Sequence, residues 1–172
     1  DATALERVAS KFDDAVQTNR LGLEHGHFNH LSDLARKRGL EEVDAILMDL
    51  GISSEQLDDP DRGFSFQQEG PLDMRIDRYG SVTAADVVNG WSEDDLAQLL
   101  RDPGEERAAR KIARAIVRER QTKVVRTTGE LARLVEGVKG SGKPGGRHPA
   151  TATFRALRMV VNGETRVLQE GM

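Results

Sequence analysis

A carboxylate that ends an apolar run is the first feature of this chain able to do chemistry. Val43, Ala45, Ile46, Leu47 and Met48 form a short, almost continuous apolar segment that stops at Asp49, the pattern of a strand covered on both faces of a parallel sheet. In open α/β sheets, ligands bind beyond the carboxyl ends of the strands. Asp49 and the following Leu50-Gly51-Ile52-Ser53-Ser54-Glu55-Gln56 therefore form a candidate site loop, where Gly51 lets a ligand or a backbone come close. The competing local reading makes Asp49 the cap of the helix or turn that follows.

Three other groupings bear on chemistry. Asp58-Asp59-Pro60-Asp61-Arg62-Gly63 is dense in turn formers, and Phe64 and Phe66 alternate with Ser65 before Gly70-Pro71 makes a second turn. Two of the five phenylalanines lie here, so the segment reads as a folded lid rather than a linker. Arg107, Arg110, Lys111, Arg114 and Arg118 recur at spacings of three and four, which lines them along one helix face. Such a stripe is either a solvated face or a phosphate contact. His25 and His27 flank Gly26, yet with no Cys and only His30 and His148 besides, the three or four converging donors of a metal site are not expected. Gly137 to Lys143 spells G-x-x-x-x-G-K, but Pro144 stands where a phosphate loop needs Ser or Thr, and a helix rather than a strand precedes it. That run, on to Arg147, reads as a flexible connector.

The elements that must position these groups follow from periodicity. Asp1 can cap a helix that buries Ala4, Leu5, Val8 and Phe12. Residues 21–28 look like a short strand, and residues 31–38 like a helix closed by Gly39. With the run at 43–48, this alternation implies parallel strands with crossover helices. After Pro71 the chain becomes helical. Ser92 caps residues 93–100; a second helix opens at Glu105-Glu106 and runs to about Arg120; Thr127-x-x-Glu130 fits a capping box ahead of Leu131, Leu134 and Val135. Pro149 suits the first turn of a helix that carries Ala150, Phe154, Leu157 and Val161 back onto the sheet.

Composition bounds the function. A chain of 172 residues suits one domain, or one domain with a smaller insert. A net charge of -4 excludes a generally basic nucleic-acid coat, so RNA contact must come from local patches. The absence of Cys excludes disulfides, thiolate metal sites and a Cys nucleophile. No apolar run approaches the ~18 residues of a membrane span and no signal-peptide pattern opens the chain; a soluble, cytoplasmic protein is expected.

The strings DLGISSEQLD, RGFSF, GPLDMRID, TAADVVN, GEERAARKIARAIV and HPATATFRALR, in this order, closely resemble the RsmH (MraW) family of S-adenosylmethionine-dependent methyltransferases, which methylate the exocyclic N4 of a cytidine in the decoding region of bacterial 16S ribosomal RNA. The resemblance runs through nearly the whole chain. It implies a partial Rossmann-like α/β methyltransferase fold at residues 1–78, an all-helical insert for substrate recognition at 79–147, and a returning helix at 148–172. Phe28, Asp49 and Gln56 fall at positions that the family assigns to S-adenosyl-L-methionine. The reaction implied is in-line displacement onto a base that is single-stranded or flipped out, and Asp49 is also the candidate catalytic acceptor for the amine. The resemblance adds weight to phosphate contact by the stripe Arg107, Arg110, Lys111, Arg114 and Arg118, with Arg62, Arg75 and the Phe64–Phe66 loop as the alternative RNA site. The partner implied is 16S ribosomal RNA or the small ribosomal subunit, without membrane or metal, and with homodimerisation left open. A non-catalytic RNA-binding or assembly module is the rival reading. Ala152 and Arg155 stand where the family usually has Arg and Gln, and Pro103 where it has Tyr; these departures bear on local RNA contacts.

The family's glycine-rich cofactor loop and acidic ribose ligand would lie upstream of Asp1, and its FHSLEDR-like segment downstream of Met172, so the resemblance makes this chain a piece of a longer protein. The 172 residues alone should then bind S-adenosylmethionine weakly or not at all in a calorimetric titration. Micromolar binding would show that Phe28, Asp49 and Gln56 suffice.

Overall fold

The computed structural model describes residues 2–49, 51–142 and 145–164. It divides into two compact units, Asp1–Leu50 with Glu164–Met172, and Gly51–Gly163.

In the first unit, α1 (Ala2–Lys11), α2 (Asp13–Gln17) and α3 (Leu31–Lys37) are joined by irregular chain, with a 3-10 turn at Phe28–His30. The helical spacing of Ala4, Leu5 and Val8 does produce α1, but none of its residues is buried and Phe12 is exposed; Asp1, expected as its cap, lies outside the described residues. α3 ends where glycine allows it: Gly39 has φ +72°, and Leu40 N–H reaches Ala35 O at 3.0 Å. Among the described residues no strand forms, only one isolated antiparallel bridge in the second unit. The segments 21–28 and 43–48 are irregular, and Val43, Ile46, Met48 and Leu47, the last 96% accessible, are exposed. A strand needs a ladder for its N–H and C=O groups, and one apolar on both faces needs a covering layer on each. The described residues supply neither, so the apolar pattern is present without the β structure expected from it.

The second unit holds the core. α6 (Glu93–Arg101) starts at Ser92, whose Oγ accepts Asp95 N–H at 3.1 Å, and three carboxylates in its first turn suit the positive end of the helix dipole. It buries Leu96, Leu99 and Leu100 against α7 (Ala109–Arg120), which buries Ile112, Ala113 and Ile116. α7 begins later than the acidic pair at 105–106 implies. Glu105 has φ +53°, outside helical space, and Glu106 is buried, accepting Ala108 N–H at 3.0 Å and Lys139 Nζ at 2.6 Å. α8 (Thr128–Lys139) has the capping box expected of Thr127 and Glu130, and its last turn takes up Gly137 to Lys139, which the sequence suggests as connector. The Glu130 carboxyl also meets Lys123 at 2.5 Å and Arg126 N–H at 2.7 Å, and these bonds hold its pKa down to about 2.

α9 (Thr151–Val161) buries Phe154, Ala156 and Leu157, and packs on α6 and on α5 (Ala84–Gly90), whereas a sheet was expected under it. The loop that reads as a lid belongs to the same core. Phe64, Leu72 and Met74 are buried, and Phe66 stacks on His148 with centroids 4.3 Å apart and meets Phe154 edge-on at 4.9 Å.

Two glycines make the loop's close packing feasible. A β-carbon at Gly63, which has φ +70°, would sit 2.1 Å from Pro71 O, and one at Gly70 would sit 1.9 Å from Pro60 O. Gly63→Ala should therefore cost about 3 kcal/mol or more in a urea titration, combining left-handed strain with a backbone collision. Gly137→Ala, in α8 with nothing within 4 Å, should instead gain about 0.5–1 kcal/mol.

Candidate functional site

The segment after Asp49 folds locally. Ser53 Oγ accepts Gln56 N–H at 3.2 Å while Gln56 Oε1 accepts Ser53 N–H at 3.0 Å, a reciprocal capping box that starts α4 (Ser54–Asp58). The cap of this helix is thus Ser53, and Asp49, exposed in the first unit, is not spent on it. Gln56 is buried in the second unit, and its carbonyl oxygen is committed to the box. Phe28, in the first unit, opens the 3-10 turn and is half-buried.

The loop that follows shows where two of the expected RNA cations go. Arg62 closes a 3-10 turn at Pro60–Arg62 and is only 7% accessible. Its Nη2 donates to Arg75 O at 3.1 Å and Ile76 O at 2.8 Å, and its guanidinium lies 5.8 Å from the Phe64 ring centroid. Arg75 clasps Asp73 with both arms of its fork, Nε to Oδ1 at 2.8 Å and Nη2 to Oδ2 at 2.7 Å, and sends Nη1 to Arg78 O at 2.9 Å and Gly80 O at 2.7 Å. Burial raises the Asp73 pKa, but the hydrogen bonds and charge of Arg75 more than offset it, so the carboxyl titrates below its ordinary value. Both arginines thus brace the loop, with Arg62 buried and Arg75 half-buried.

The stripe on α7 is different. Arg107, Arg110, Lys111, Arg114 and Arg118 are all exposed. Arg110 meets Asp94 at 2.9 Å and Arg114 meets Glu93 at 3.4 Å, both in the first turn of α6. These are surface pairs, the kind that contribute little and can exchange partners. No ion pair involving Arg107, Lys111 or Arg118 is found among the described residues, which leaves three cations on this face facing solvent.

Two features escape the sequence reading. Asn162, which reads only as a helix stop, donates Nδ2 to Met74 O at 2.8 Å and accepts Ile76 N–H at 2.7 Å, tying the end of α9 to the loop. Between α8 and α9 a cavity of about 500 Å³ is lined by Lys139, Arg147, His148, Thr151, Ala152 and Arg155. His148 Nδ1 accepts Ala150 N–H at 3.2 Å, so Nε2 carries the proton donated to Glu136 at 2.8 Å. Arg155 reaches Gly104 O and Glu105, each at 2.9 Å. The basic residues around 147–155 were the available signal, but their acceptors lie far away in sequence. Among the described residues no His, Asp and Glu group could hold a metal ion, and no helix is long and apolar enough to cross a membrane.

The whole chain, residues 1–172, matches the MraW methylase family, and it belongs to that family. It is 41% identical over 170 residues to the ribosomal RNA small subunit methyltransferase H of Brevibacillus brevis, covering 98% of this chain and 52% of that protein. Over 155 residues it is 43% identical to the protein of the same name from Symbiobacterium thermophilum, covering 90% of this chain and 49% of that relative. The chain thus spans about half the length of the curated relatives it matches.

Proposed function

We propose that this chain is part of an S-adenosylmethionine-dependent methyltransferase acting on cytosine N4 of 16S ribosomal RNA in the small ribosomal subunit. The observation that carries this reading is the 41% identity, across 98% of the chain, to a protein named as a small-subunit ribosomal RNA methyltransferase. In the whole protein, residues 1–78 and 148–172 belong to a Rossmann-like α/β methyltransferase domain, with 43–48 as one of its strands, and the helices at 79–147 recognise the substrate. The exposed apolar run at 43–48 supports this, since its pattern suits a strand buried on both faces.

S-adenosylmethionine, when bound, supplies a methyl group on a positively charged sulfur. Phe28 would pack on its adenine, and Asp49 and Gln56 would hold the nucleoside. The methyl acceptor is cytosine N4. Its lone pair is delocalised into the ring, so the protein's task is to orient the amine and to favour the positive charge that develops on it. Asp49, which no cap or ion pair consumes among the described residues, can accept a hydrogen bond from N4–H, and this fixes the amine while a carboxylate faces the growing charge. The base must leave its stack to present N4. The outward cations of α7 hold the flanking phosphates.

The test is methyl transfer by the full-length protein to small subunits that lack the modification, read by mass spectrometry of digested nucleosides. N4-methylcytidine should appear, and Asp49→Ala should lower turnover by ~100-fold or more with the fold intact. A wild-type protein that leaves cytosine unmodified would overturn the proposal, and near-normal turnover by the variant would remove Asp49 from it.

A further inference from the structure

The loop at 73–80 is held more firmly than its position on the surface requires. Arg62 takes the carbonyls of Arg75 and Ile76, Asn162 takes Met74 O and Ile76 N–H, and Arg75 takes the carbonyls of Arg78 and Gly80. The tip is a tight turn: Gly80 N–H donates to Asp77 O at 3.0 Å, and Tyr79 N–H donates to Asp77 Oδ1 at 3.0 Å. At its apex sits Tyr79, the one tyrosine of the chain. It is 90% accessible, whereas Phe64 and Phe154, the buried rings of the same unit, are below a tenth. Beside it is Arg78, exposed and 3.9 Å from Asp59, too far for a strong pair.

Among the described residues nothing covers the Tyr79 ring, and the bracing beneath it removes the entropy that a floppy loop would lose on binding. Pre-ordered aromatic rings are what unpaired bases stack on, and each base–ring stack contributes about 1–3 kcal/mol regardless of base identity. A neighbouring arginine is placed for the phosphate of the same nucleotide. We infer that Tyr79 is a stacking platform for an unpaired base of the RNA substrate, with Arg78 at its phosphate and Arg62, Arg75 and Asn162 as the residues that position the platform. This rests on the RNA reading above and adds the place where a nucleotide other than the target is gripped.

The probe is a single-stranded RNA of about 20 nucleotides containing 2-aminopurine, whose fluorescence is quenched when it stacks, titrated with the full-length protein carrying Tyr79→Phe, Tyr79→Leu or Tyr79→Ala. Because the side chain is exposed, none of these should change the melting temperature appreciably. Tyr79→Phe should keep wild-type affinity and quenching within about twofold. Tyr79→Ala and Tyr79→Leu should weaken binding ~5- to 150-fold, the conversion of one lost stack, and abolish the added quenching without altering the salt dependence. A Tyr79→Ala protein that binds and quenches like the wild type would overturn the platform while leaving RNA binding in place. Wild-type affinity for Tyr79→Leu would overturn stacking in favour of plain apolar contact. A wild-type protein with no affinity for the RNA would overturn the underlying RNA reading, and the platform with it.

Discussion

The irregular segment at 70–76 has no strand beside it among the described residues, and much of the second unit serves to satisfy its backbone. A buried N–H or C=O left alone costs about as much as a lost hydrogen bond, so a ladder must be replaced by something. Gly70 and Leu72 exchange bonds with Arg126 and Thr128 ahead of and inside α8; Leu72 O and Asp73 O accept from Ala85 and Ala84 at the start of α5; Met74 N–H reaches Arg62 O. Met74 O and Ile76 N–H go to Asn162 at the end of α9, and the Arg75 and Ile76 carbonyls go to the Arg62 side chain. Helix ends and two polar side chains do the work of neighbouring strands. The same bonds hold Met74, fully buried with φ +63°, in a conformation that costs a bulky residue on the order of 1–2 kcal/mol.

This requirement sorts the unit's cations. Arg62 and Arg75 turn to the loop backbone because their planar, multi-donor groups each serve several acceptors at once. Lys111 and Arg118 stay outside because α7 already buries Ile112, Ala113 and Ile116 on its other face, and Arg107 is exposed in the turn just ahead of it. The unit is therefore rigid where the loop meets the helices and positively charged where α7 meets solvent. For a protein of net charge -4, that localisation lets a phosphate backbone be held without a basic surface overall.

What could be read from the sequence follows how local each cause is. Ser92 and the Thr127–Glu130 pair act within one turn, and the structure has both caps. Ser53 rather than Asp49 caps α4 because its partner Gln56 is three residues on, a pattern visible in the sequence. The start of α7 is misplaced because the acidic pair reads as a helix N-terminus, whereas Glu105 takes φ +53° ahead of the helix. Arg62 and Asn162 are unreadable for a stronger reason: their acceptors are 13 to 88 residues away. At 43–48 an apolar run states what a segment needs, while a ladder also requires neighbours, and none forms there among the described residues. Of the candidate site, the exposed carboxylate and the α7 stripe were readable, and the braced loop was not.

The division between inward and outward cations is tested most directly by the salt dependence of RNA binding. Each phosphate contact on a single strand adds ~0.7 to the slope of log K against log salt concentration. Replacing Arg107, Lys111 and Arg118 together by Gln in the full-length protein should lower that slope by about 2, with sequence preference and melting temperature unchanged. A triple variant with the wild-type slope would contradict the account and make the α7 face a merely solvated surface.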